Sequence, residues 1–212
     1  MNRLPDHIAK ALGVVLYPLF VPTYGIALFC HVVHHQINPL PWIWSLLAIL
    51  GTFVFTLVLP VTSIWILIRR GEVTDLQIDN PRERTVPYIY SAVSFAFWSY
   101  FLISILHAPA CLGFVAVGGA VAIGLVAIIN RFWKISAHLT GLGGLFGGIF
   151  SVCAGLGMIP SWSVVIGMAV LTLVLMWARL HVNAHTSAQV CAGWLLGLTC
   201  TAIPYMIYSY GT

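Results

Sequence analysis

Apolar runs of roughly bilayer-spanning length recur seven times along this 212-residue chain, at residues 11–33, 42–68, 86–106, 110–130, 135–157, 161–178 and 187–208. A hydrocarbon core about 30 Å thick calls for roughly 20 apolar helical residues. Within it a lipid-exposed segment must satisfy its own backbone groups, which a closed helix does. The composition agrees. Only 7% of the residues are charged and 60% are hydrophobic, whereas a soluble domain averages about 25% charged residues. The reading is a single integral-membrane domain over residues 1–212, an all-α polytopic bundle of six to seven helices. Disorder, a disulfide scaffold and a nucleic-acid partner are excluded. Nine Lys and Arg, for a net charge of +4, are too few for a polyanion-binding surface.

Details of the runs set further expectations. The first resembles a signal peptide in its leading cations, but it is too long, carries Pro18 and Pro22, and lacks a small-residue cleavage site, so it reads as a retained first helix. Pro60 lies inside the second run and should kink it, because proline removes one intrahelical donor. Gly143, Gly144, Gly147 and Gly148 have the small-xxx-small spacing of closely packed membrane helices. Trp42, Trp44, Trp98, Trp133, Trp162 and Trp177 fall near the ends of the runs and read as interfacial anchors among membrane lipids. The five cysteines form no paired framework.

Seven crossings place every Lys, Arg, Asp and Glu on one side of the membrane, and leave His31, His34, His35 and His107 on the other. Positive-inside bias makes the charged side cytoplasmic, with a bacterial cytoplasmic (inner) membrane the expected location. Arg69 and Arg70 read as snorkelling anchors, and Arg3 and Lys10 as cations without a chemical task. Three segments on that side hold most of the reactive side chains: residues 75–87 (DLQIDNPRERTVP), 134–138 (KISAH) and 179–189 (RLHVNAHTSAQ). Polar groups converging at a membrane boundary are a functional site by default. Guanidinium forks pair with phosphoryl oxygens, and helix N-termini add oriented N–H donors. The combination points to a phosphorylated ligand.

These segments resemble the three-part signature of the type-2 phosphatidic acid phosphatase superfamily: an Arg-containing block, a Pro-Ser-Gly-His block, and a Ser-Arg followed by His and Asp. The second block here reads Ile135, Ser136, Ala137, His138. The third reads Ala178, Arg179, then His185 and Gln189. The resemblance runs from about residue 75 to 189. Gln77 stands where the family has a lysine, Thr85 follows Arg84 where it has a proline, and Gln189 replaces the Asp that orients the nucleophile.

The resemblance implies a membrane lipid-phosphate phosphatase. His185 would attack phosphorus to form a phosphohistidine, His138 would protonate the leaving oxygen and then activate water, and Gln189 would orient His185. Arg84 and Arg179, with Arg82 and Lys134 as further cations, would hold the phosphoryl oxygens, and Ser136 would donate to them. This chemistry needs no metal or organic cofactor. The implied substrates are phosphatidate, phosphatidylglycerophosphate or a polyprenyl diphosphate. A different reading is a catalytically weakened relative that binds or moves a phosphorylated lipid, favoured by Gln77, Thr85 and Gln189. Two more readings rest on four-residue spacings. His181 and His185 suit a metal, although the segment HVNAH lacks a metalloprotease's glutamate. Asp75 and Asp79 suggest a UbiA-type prenyltransferase, although the second aspartate-rich motif is absent.

Overall fold

A computed structural model of the chain describes residues 4–36, 41–75, 78 and 83–211, and every regular element among them is helical. The elements are α1 (Leu4–Val15), α2 (Val21–Gln36), α3 (Trp42–Phe53), a π-helical turn (Val54–Val58), α4 (Leu59–Arg69), α5 (Thr85–Ser104), α6 (Ala110–Ile129), α7 (Ala137–Gly155), α8 (Trp162–His181) and α9 (Ser187–Gly211). Among the described residues, six segments are long and apolar enough to cross a membrane: Trp42–Arg69, α5, α6, α7, α8 and Ser187–Ile207 of α9. The fold is an all-α bundle, built as an integral membrane protein. The helix directions collect the described Lys, Arg, Asp and Glu at one end.

The first apolar run departs from expectation. It is not one helix; it breaks over residues 16–20, where Pro18 has no N–H to continue the ladder and tight turns join Tyr17 to Val14 and Phe20 to Tyr17. The 16-residue α2 still traverses the bundle. Leu16, where the break begins, packs with Leu139, Leu175 and Val190 at the charged end, while Ile26, Phe29 and Cys30 pack with Ala48 and Leu112 at the other. The preceding α1 is amphipathic. Leu4, Ile8 and Val15 form an exposed apolar stripe, Ala9 and Gly13 are buried, and Asp6 and Lys10 lie on a third face. That is the pattern of a helix lying in a membrane interface.

The Pro60 interruption is a π-helical turn just ahead of the proline. The carbonyl of Phe55 in this turn accepts a 2.5 Å hydrogen bond from Ser94 Oγ of α5, so the irregular backbone stays satisfied within the protein. Trp42 and Trp162 are among the most exposed residues, as anchors should be, and Arg69 lies over the Trp65 ring. Trp98 is a correction. It is 4% exposed, donates from Nε1 to Thr52 Oγ1 at 2.9 Å and stacks between Phe55 and Phe101. Gly51 of α3 admits it, since a Cβ there would overlap the indole.

The closest helix pair is α7 with α9. A Cβ on Gly143 would meet the Trp194 carbonyl, and one on Gly197 would meet the Thr140 carbonyl. Small residues at four-residue intervals on both helices therefore let the backbones touch, as the glycine spacing in α7 predicts. This contact also fixes the separation of the helix N-termini that carry the two site histidines.

Candidate functional site

The charged end of the bundle opens into a cavity of about 830 Å³, whose lining includes Arg84, Arg179, Lys134, Lys10, His138 and His185. No Asp or Glu is among the described lining residues. Four cations, with the positive N-terminal ends of α7 and α9 beside them, make this end strongly electropositive. An electropositive cavity at a membrane boundary is suited to an anionic group.

Arg84 caps α5 and is buried. Its Nε donates to the Ile78 carbonyl at 2.6 Å. Ile78 supplies that carbonyl from a left-handed backbone conformation, φ 49°, which is strained for a β-branched residue and is held by a 2.6 Å bond from its N–H to Asp75 Oδ1. Glu83 closes the same connection by accepting from the Thr74 N–H and hydroxyl. The α4–α5 connection thus aims a buried guanidinium. Arg179, one turn from the end of α8, reaches toward α1, where a Cβ on Gly13 would lie 3.1 Å from its Nη1.

His138, in the first turn of α7, sits edge-on to Tyr17 and donates from Nε2 to the Gly13 carbonyl at 3.0 Å. The carbonyl can only accept, so the ring proton is on Nε2 and Nδ1 carries the lone pair. His185 lies in the turn between α8 and α9. A capping box starts α9: Thr186 Oγ1 accepts from the Gln189 N–H at 3.4 Å, and Gln189 Oε1 accepts from the Thr186 N–H at 3.1 Å. The backbone donor fixes which end of the Gln189 amide is oxygen. That oxygen also faces His185 Nδ1 at 3.3 Å, so Nδ1 is the donor and Nε2 keeps its lone pair.

Burial first, then the Arg179 and Lys134 charges, push the His185 imidazole down to about 4, with the Gln189 hydrogen bond opposing. A folded value below the ordinary 6.5 means that the unfolded chain takes up a proton the native chain refuses. Stability from this group therefore falls as pH drops from 6.5 toward 4. We expect nitrogen NMR of labelled protein to show His185 as the neutral Nδ1–H tautomer at about pH 5. A titration midpoint at the ordinary histidine value would contradict this geometry.

Other expected site residues are placed differently. Ser136 is fully buried as the N-cap of α7, accepting from the Leu139 N–H at 3.5 Å, and lies outside the cavity wall, so it supports the helix that carries His138 and is not placed to donate to a bound anion. Arg82 lies outside the described residues, as do Gln77 and Asp79. His181, at metal spacing from His185, pairs instead with Asp6 of α1 at 2.9 Å and stacks on Trp177. Lys10, read as a cation without a task, lines the cavity, as do Tyr17 and Tyr88. The amphipathic pattern of residues 4–15 and Pro18 were the signals for α1; nothing in the sequence singles out the tyrosines.

No family model matches the chain, and no curated protein or solved structure matches it either.

Proposed function

We propose that the protein is a membrane lipid-phosphate phosphatase, resembling the type-2 phosphatidic acid phosphatases, which hydrolyses a phosphomonoester or diphosphate of a lipid. One observation carries the reading: two histidines and four cations, with no carboxylate among the described lining residues, meet at the charged end of an otherwise apolar cavity. His185 Nε2, with Nδ1–H held by Gln189, attacks phosphorus; the P–N bond forms as the P–O bond to the lipid breaks. His138 must first take up a second proton, on Nδ1, and gives that proton to the leaving oxygen. Water then attacks the phosphohistidine, gives its proton to His138 and releases inorganic phosphate. The acid–base role falls to Nδ1 of His138, or requires α1 to give up its Gly13 contact. Arg84, Arg179 and Lys134 stabilise the charge growing on the phosphoryl oxygens.

Gln189 favours a second reading, a relative that binds or moves a phosphorylated lipid without cleaving it, because an amide brings no negative charge to an imidazolium. Phosphate release from a panel of lipid phosphates by purified protein separates the two. Gln189→Leu should lower the rate by about 10- to 100-fold, the scale on which partners orienting an imidazole act. Lipid binding should be unchanged. Gln189→Asp should keep or raise the rate, since a charge-assisted hydrogen bond is roughly twice as strong as a neutral one. Release from no lipid by either protein makes binding or transport the better reading.

The positive-inside bias assigns the charged end to the cytoplasmic face of a bacterial inner membrane. An impermeant thiol reagent should therefore modify Asp75→Cys in inverted vesicles and not in intact cells; modification in intact cells reverses the assignment.

A further inference from the structure

The cation cluster takes up only one end of the cavity. From His138 to Leu156 on α7 its wall runs about 27 Å at the helical rise of about 1.5 Å per residue. That is close to the hydrocarbon thickness of about 30 Å. At the far end the lining reaches Leu102, Leu112 and Met158. A cavity of about 830 Å³ along this depth is a bore wide enough to admit a hydrocarbon chain.

The serine and threonine hydroxyls in the middle of the bore are already spent on backbone carbonyls. Ser91 donates to Pro87, Ser99 to Phe95, Thr52 to Ala48 and Thr140 to Ser136, at 2.7–3.0 Å. What remains facing the bore is hydrocarbon and aromatic surface such as Phe95 and Leu145. A passage for ions or water would keep such hydroxyls turned inward.

We propose that the bore takes up the tail of a lipid phosphate, holding it inside the helical bundle while the headgroup sits among Arg84, Arg179, Lys134 and His185. This rests on the phosphorylated-lipid reading above and narrows it. Moving a tail from lipid into an apolar bore gains little hydrophobic free energy, so the selection acts through the shape of the bore.

The test uses octadecylphosphonate with a photoreactive diazirine at the chain end. It cannot be hydrolysed, so its binding is independent of turnover. Irradiated in the presence of purified full-length protein, it should mark Leu102, Leu112 or Leu156. Marking of lipid-facing residues such as Val117 or Val121 overturns the proposal. Gly119 lines the bore midway along α6, and a Cβ there would meet only Phe95 Cδ1 at 3.8 Å. Gly119→Phe should weaken octadecylphosphonate at least tenfold and leave octylphosphonate unchanged. Gly124→Phe, off the bore and with nothing within 4 Å of its Cβ, should alter neither. Phosphonate binding with no effect of Gly119→Phe leaves the headgroup site standing and removes the bore. Equal marking by diazirine-tagged octadecanol keeps the bore and removes the phosphate reading. Binding of no phosphonate overturns both.

Discussion

His185→Ala should reduce phosphate release from the best lipid-phosphate substrate by on the order of 10⁶-fold, the loss that follows removal of a covalent nucleophile from a hydrolase. Binding of a long-chain alkylphosphonate should survive, because Arg84, Arg179 and Lys134 still line the cavity. The effect is large because no other lining group is so suited to attack. His138 has a lone pair on Nδ1, but that nitrogen carries the acid–base role and its Nε2–H is held by the Gly13 carbonyl. His185 is neutral near neutral pH, with its lone pair on Nε2 by virtue of Gln189. Trapping labelled phosphate on histidine in wild type, and its disappearance in the variant, checks the intermediate directly. Retention of full release by His185→Ala would require another nucleophile and end the phosphohistidine mechanism.

The bundle and the charged end were legible in the sequence because lipid enforces them. Twenty-residue apolar runs and a one-sided distribution of charge are conditions for crossing a membrane, independent of how the helices pack. The convergence of Arg84, Lys134, His138, Arg179 and His185 followed from the parity of crossings. That parity survived the break after Val15, because α2 alone carries the chain from the charged end to the other. What was not legible depended on neighbours. Trp98 reads as an anchor until Gly51 and Thr52 of α3 are set against it. Ser136 reads as an oxyanion donor in a motif, but its hydroxyl faces the first turn of its own helix. Lys10 joins the site only because Pro18 folds α1 back toward α8, where Asp6 meets His181. That pair is largely exposed and contributes little stability by itself. The buried face of Ala9 and Gly13 does more to hold α1 in place.

Gly197→Leu should be the most damaging single substitution outside the site. A Cβ at this position would overlap the Thr140 carbonyl and lie 2.6 Å from the Gly144 N. Overpacking that side chains can absorb costs about 1–3 kcal/mol. Here the obstacle is helix backbone, which yields only by separating α7 from α9, so the cost should exceed that range. The variant should lose its monodisperse peak in detergent and its cooperative melt, whereas Gly124→Leu, whose Cβ meets nothing, should match wild type. Gly193→Ala is the informative partner. Its Cβ would stand 2.5 Å from the Ser136 carbonyl, close to the site and far from the middle of the interface. It should leave the fold intact and push the N-terminus of α9 away from that of α7. Since catalysis on one phosphorus needs both imidazoles within hydrogen-bond reach of it, Gly193→Ala should lower the rate of phosphate release more than it lowers the melting temperature. A melt and an elution profile identical to wild type for Gly197→Leu would mean that the α7–α9 contact does not set the spacing of His138 and His185, and the geometric basis for placing both on one phosphate would go with it.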